Sequence, residues 1–172
     1  PEVETIRRDL APELEGRQIT AVGIHHADII LGTMSGLEFS RRLERRLISG
    51  LDRRSNWLLL TFDDGLQLTE LRLTQRFAIG RGAAPPLAGF RHVAAEFDLD
   101  DGRTLFYDDV RRLGGFLLLS RSEWAREESR FGPEPLATGF RASDLGDALR
   151  RGRAPVKNAL MDQSRVAGVG NI

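Results

Sequence analysis

The sequence predicts an α+β protein: an antiparallel β-sandwich or barrel flanked by helices, then a further helical stretch. Three observations predict it. Apolar residues near the start recur at helical spacing. From Ile48 the hydrophobic period changes to two, with two Asp-Asp-Gly turn signals between short apolar runs. After Arg121 helical spacing returns. Short strands with tight turns, bracketed by helices, fit a two-layer arrangement.

Each element has its own signal. Residues 1–14 read as a helix: Pro1 suits the first turn, and Glu2 and Glu4 complement the positive end of the dipole. Val3, Ile6, Leu10 and Leu14 share one face, and Gly16 ends the run. Residues 19–24 form a β-branched strand. A second helix is expected over 37–47, with Leu43 and Leu47 paired four residues apart. Residues 57–62 and 66–71 flank Asp63-Asp64-Gly65 as one hairpin, and 93–99 and 104–107 flank Asp100-Asp101-Gly102 as another. Residues 116–119 read as a buried strand, and 80–90, with Pro85-Pro86, as a loop.

Gly132-Pro133-Glu134-Pro135 breaks the chain. The expected division is therefore a β-sandwich domain over 1–130 and the start of a helical domain over 131–172. Ser143 is the expected N-cap of a helix reaching Arg151, and Pro155 opens another over 156–163. The chain stops at Ile172 without a polar terminus, which reads as a cut chain.

The 172 residues suit one domain plus part of another, and 41% are hydrophobic. No apolar run approaches the roughly 18 residues of a membrane span. The N-terminus opens with charge instead of a signal peptide's apolar stretch, so a cytoplasmic location is expected. Absence of Cys excludes disulfides and thiolate metal sites, and three His without a ligand motif argue against zinc in this segment. The formal net charge is zero, so overall basicity supports no claim about nucleic acid. Its distribution is more informative: every cation but Lys157 is Arg, whose planar fork grips phosphate. Arg41, Arg42, Arg45, Arg46, Arg53 and Arg54 cluster, as do Arg141, Arg150, Arg151, Arg153, Lys157 and Arg165. Such clusters serve either as solvated helix faces or as a phosphate track. Common hydrolase, P-loop and metalloprotease motifs are missing.

Several segments, taken in order, resemble one family. Pro1-Glu2-Val3-Glu4-Thr5-Ile6-Arg7-Arg8 is similar to an opening helix, and Arg53-Arg54-Ser55-Asn56-Trp57-Leu58-Leu59-Leu60 to a basic turn leading into a strand. Asp98-Leu99-Asp100-Asp101-Gly102-Arg103 and Asp108-Asp109-Val110-Arg111-Arg112-Leu113-Gly114 resemble a sandwich hairpin and a void-filling loop. Phe131-Gly132-Pro133-Glu134-Pro135-Leu136, Ala154-Pro155-Val156-Lys157-Asn158-Ala159-Leu160-Met161-Asp162-Gln163 and 166–172 resemble the start of a helix–two-turns–helix module. Together they resemble the formamidopyrimidine-DNA glycosylase and endonuclease VIII family of base-excision repair enzymes.

The resemblance implies a monomer that binds damaged duplex DNA, flips out an oxidised base and cleaves its N-glycosidic bond. It implies attack by the amine of an N-terminal proline, with an adjacent glutamate in acid/base chemistry. The family begins Pro-Glu-Leu-Pro-Glu-Val-Glu-Thr, so in register Pro1 matches the fourth residue of that motif. The catalytic pair falls upstream, and Pro1 and Glu2 take that role only if Pro1 is the true terminus. A void-filling triad of Leu73, Arg111 and Leu113 is implied, with Leu73 for the usual methionine and Leu113 for phenylalanine; the alternative packs both leucines in strand core. Lys157 and Asn171 match phosphate-gripping residues. Glu70 and Asp109 add negative charge near the phosphate path. Asn56 stands where the family has a lysine that assists strand cleavage, which implies weakened AP-lyase activity. Zinc is implied only for a part beyond Ile172. A second reading is a non-catalytic damaged-DNA binder.

Overall fold

The computed structural model describes residues 2–71, 76–81, 89–150 and 154–170, without the side chains of Glu70 and Leu71. Helix α1 (Glu2–Leu14) precedes β1 (Ile19–Ile24), a short 3-10 turn (Ala27–Ile29) and α2 (Gly36–Leu43). Strands β2 (Ile48–Arg54), β3 (Trp57–Phe62), β4 (Gln67–Leu71), β5 (Arg76–Arg81), β6 (Val93–Leu99), β7 (Arg103–Asp108) and β8 (Gly115–Leu119) follow. Helices α3 (Arg121–Glu128), α4 (Ala142–Arg150) and α5 (Val156–Met161) come last. The strands form two four-stranded antiparallel sheets, ordered β1-β6-β7-β5 and β2-β3-β4-β8. This is the sandwich of the two expected architectures.

Both sheets turn their apolar faces inward. Phe97, Leu99, Leu105 and Tyr107 from the first meet Leu51, Leu58, Leu60, Phe62, Leu68 and Phe116 from the second in one core. Phe116 is its hub: its ring lies 4.6 Å from Tyr107, 5.6 Å from Phe97 and 6.0 Å from Phe39 of α2. Val3, Leu10 and Leu14 of α1 join the same core, as their helical spacing predicts.

Four boundaries differ from the sequence expectation. Helix α2 stops at Leu43, capped at its start by Ser35, whose Oγ accepts from the Glu38 amide at 3.2 Å. Its expected continuation to Leu47 fails because the next backbone pairs elsewhere. The Arg45 N–H donates to the Ile19 carbonyl at 2.7 Å, and the Ile19 N–H donates to Arg46 at 3.0 Å. Leu47 is consequently 39% exposed while Leu43 is fully buried, so the two do not pair. Ser143 lies inside α4, not at its cap; the Asp144 carboxylate accepts from the Arg141 amide at 2.8 Å instead. Helix α5 ends at Met161, two residues short, where Asp162 turns extended and accepts from the Ser164 amide and hydroxyl. Strand β5 covers Gly80 and Arg81, the beginning of the expected loop; residues 82–88 of that loop lie outside the described residues.

The Gly132–Pro135 break is tied down on both sides. Gly132 donates to the Gln163 carbonyl at 2.8 Å, and Ala167 donates to Pro133 at 3.0 Å. A Cβ on Gly132 would lie 2.5 Å from the Arg165 backbone, so only glycine allows this approach.

Candidate nucleic-acid interface

Register brings the segments flanking Asn56, Arg111 and Leu113 to one end of the second sheet. Across the second sheet Arg54 pairs with Trp57, Trp57 with Leu71, and Leu71 with Gly115. That row sets three connections side by side: the β2–β3 turn with Asn56, the exit from β4 toward Leu73, and the 109–114 loop leading into β8. Leu73 itself lies outside the described residues, as do Pro1 and Asn171.

The 109–114 loop is built around a buried carboxylate. Asp109 is 1% exposed; its Oδ1 accepts from the Arg111 and Arg112 amides at 3.2 and 2.9 Å, and its Oδ2 from Gly114 at 3.1 Å. These bonds hold the chain in a tight turn, with Arg112 at φ 47°. The turn pushes Arg111 and Arg112 into solvent and leaves Val110 and Leu113 56% and 52% exposed. Leu113 is therefore not strand core. Asp109, expected to add negative charge near the phosphate path, has its carboxylate turned inward onto these backbone amides. Gly115 follows because a Cβ there would sit 2.6 Å from the Ile29 carbonyl oxygen.

The β2–β3 turn is the centre of an ionic cluster. Ser55 adopts φ 60° and is 2% exposed; Asn56 beside it is half-buried. Arg53 bridges Glu4 of α1 at 3.3 Å and Glu134 at 2.7 Å, while Arg54 contacts Glu134 at 3.1 Å and the Gly132 carbonyl at 2.9 Å. Glu134 also accepts from the Ser55 amide. Hydrogen bonds from Arg7, then from Arg8 and Arg53, outweigh burial and hold the Glu4 carboxyl down at about 2. Glu2, two residues before Glu4, is exposed and is the first described residue of α1. The α1 start, the Asn56 turn and the 131–135 and 162–170 segments thus meet at one place.

The arginine cluster over 41–54 divides in space. Strand β2 carries its two halves to opposite ends, roughly 20 Å apart for seven residues. Arg46 pairs with Asp64 at the far end, whereas Arg53 and Arg54 are held by Glu4 and Glu134. Those two hold elements together; they are not exposed phosphate ligands. Lys157 is exposed in the first turn of α5.

The family model of the formamidopyrimidine-DNA glycosylase N-terminal domain matches residues 1–116. The chain belongs to this family. Among curated relatives, the formamidopyrimidine-DNA glycosylase of Chloroflexus aurantiacus is 41% identical over 173 residues, covering 100% of this chain and 61% of that protein. That of Bacillus subtilis is 36% identical, covering 100% and 62%. The chain thus spans about three fifths of the length of these relatives. Among solved structures, Lactococcus lactis formamidopyrimidine-DNA glycosylase bound non-covalently to DNA with an AP site superposes with a TM-score of 0.86. It is 27% identical, and the match covers 100% of this chain and 65% of that one. A complex of the same enzyme with DNA containing FAPY-dG also gives 0.86 at 27% identity.

Among the described residues no group of three or more His, Asp or Glu side chains could hold a metal, and the chain has no Cys. These residues do not fit a zinc ion. Nor is any helix among the described residues long and apolar enough to cross a membrane. Sequence reasoning missed the roles of Asp109, Glu134 and Gln163. For Asp109 a signal existed, since Asp followed by backbone donors two and three residues on is an Asx turn. For the bonds of Glu134 to Arg53 and of Gln163 to Ser55 there was none, because those partners lie 81 and 108 residues away.

Proposed function

We propose that the protein is a base-excision DNA glycosylase that removes oxidised bases, such as 8-oxoguanine, formamidopyrimidines or oxidised pyrimidines, from duplex DNA. The observation that carries this reading is the 109–114 loop. It presents Arg111 and Leu113 outward on the same sheet end as the Asn56 turn, within a family whose solved members are bound to AP-site and FAPY-dG DNA.

Flipping a base costs a few kcal/mol of stacking and pairing, and an apolar wedge beside an arginine offsets that loss. Leu113 and Arg111 supply it, with Leu73 as the third member. Lys157 and Asn171 grip backbone phosphates, which positions the duplex without reading sequence. An N-terminal proline nitrogen attacks C1′, the bond from C1′ to the base breaks, and the base leaves with a proton. An α-amine suits this step because its ordinary pKa of about 7.7–8.0 leaves a neutral fraction near pH 7. Register assigns that proline and its glutamate to positions upstream of Pro1, and to Pro1 and Glu2 only if Pro1 is the mature terminus.

Strand cleavage requires further proton transfers, and Asn56 has no titratable group to assist them. AP-lyase activity is therefore weak beside base release. The same substitution favours a second reading, a non-catalytic binder of damaged DNA. The two-domain division at 130/131, a monomeric bacterial protein at the nucleoid, and zinc in a segment past Ile172 complete the proposal. Chromatographic assay of base release from a formamidopyrimidine duplex by the full-length protein tests it. Release from damaged but not undamaged duplex supports the glycosylase; tight lesion binding without release selects the second reading.

A further inference from the structure

The Gln163 side chain uses its whole hydrogen-bonding capacity to join two parts of the interface. Its Oε1 accepts from the Ser55 hydroxyl at 2.5 Å and from the Gly168 amide at 2.8 Å. Its Nε2 donates to the Met161 carbonyl at 3.0 Å and the Val169 carbonyl at 2.8 Å. An amide has two donor hydrogens and two acceptor lone pairs on its oxygen, so nothing is left over. Its backbone carbonyl accepts from Gly132. Only an amide meets this pattern: a carboxylate would turn a second oxygen toward two carbonyl oxygens, and an apolar side chain would leave the Gly168 amide and the Met161 and Val169 carbonyls without these bonds, while the Ser55 hydroxyl would keep only Asn56 Oδ1 at 3.2 Å. The surroundings are equally constrained. Gly168 has φ 83°, and a Cβ on it would lie 3.0 Å from Arg53 Nη1 and 3.5 Å from the Ser55 carbonyl oxygen.

We propose that Gln163 is a positioning residue that sets the β2–β3 turn, with Asn56, against the 164–170 loop that leads to Asn171. It touches no DNA. It fixes the spacing between the turn beside the reacting sugar and the segment that grips phosphate, so both engage one duplex together. The inference rests on the function proposed above and adds a coupling between the two halves of the site.

The test compares Gln163→Glu and Gln163→Met with wild type in the full-length protein, using a duplex with a reduced abasic site as probe. Measurements run well below each variant's melting temperature, across salt and pH. At pH 7.5 Gln163→Glu binds about tenfold more weakly, a factor equivalent to 1.4 kcal/mol. The salt slope of Gln163→Met stays near that of wild type, because Asn171 is neutral and its phosphate contact releases no counterion. As pH drops and the new carboxyl gains a proton it donates again, so its deficit relative to wild type narrows; the deficit of Gln163→Met does not change with pH. Ser55→Ala alone has a smaller effect and adds nothing to Gln163→Met, because both act through one junction. If the variants melt earlier but keep wild-type affinity, Gln163 is merely structural and the inference is wrong while the proposed function stands. If wild type itself shows no preference for the abasic duplex, the function proposed above fails and the inference goes with it.

Discussion

At the residue scale, burial separates side chains that face a ligand from those that organise them. Lys157 is exposed, and the proposed function puts it in the first kind. Lys157→Ala should weaken duplex binding equally for all base contexts and lower the log–log salt slope by about 0.9, as loss of one phosphate contact requires. Filter-binding titrations from low to moderate salt measure it, and an unchanged slope would reduce Lys157 to a surface residue. Asp109 belongs to the second kind. Asp109→Ala leaves inward-facing amides of Arg111, Arg112 and Gly114 without their acceptor, a loss of about 1–3 kcal/mol in loop and fold stability. Affinity for an abasic duplex should drop more than affinity for intact DNA, because the loop that fills the void is no longer held. Equal losses on both duplexes would show that the loop has no void-filling part. The Asx-turn chemistry of Asp109 was legible in the sequence, but its burial was not, because burial of a single carboxylate is not written in its neighbours.

Among the elements, strands and hairpins were legible because turn chemistry and period-two patterning are local. The two Asp-Asp-Gly hairpins pair as expected. Strand β5 escaped notice because Gly80 and flanking arginines hide the alternation of Phe77 and Ile79, and its pairing with β7 supplies what propensity does not. Helix α2 was overextended for a related reason: Ile19 captures the backbone of Arg45 and Arg46, and no local pattern announces a partner so far away in the sequence. The docking of α1 on β2 is likewise non-local, and it depends on charge. Arg7, Arg8 and Arg53 hold the Glu4 carboxyl at about 2, below its ordinary 4.5. A lowered carboxyl contributes stability that is complete above pH 4.5 and disappears as pH falls toward 2. Linkage sets its ceiling at about 3 kcal/mol, and solvent screening brings it nearer 1–2 kcal/mol. Urea unfolding of wild type and Glu4→Gln at pH 7 and pH 3 checks this. The variant should be less stable at pH 7, with the gap shrinking at pH 3; a gap that does not change with pH would remove the ion pair from the account.

On the scale of the whole molecule, the sandwich supplies a rigid edge and the segments after Phe131 are clamped onto it. Arg53, Arg54, Ser55, Glu134 and Gln163 make that clamp, so the Asn56 turn is joined directly to the 131–135 and 162–170 segments. The sequence order of motifs revealed which pieces belong together. It did not reveal the clamp, whose partners are brought together only by folding. The central claim is a glycosylase whose base release outruns strand cleavage because Asn56 carries no ammonium. Borohydride trapping of the covalent intermediate, run beside a nicking assay with the full-length protein on a lesion duplex, tests it most directly. The account predicts efficient trapping with little nicking, and an Asn56→Lys variant whose nicking rises more than its base release. Tight lesion binding with neither trapping nor base release would contradict it.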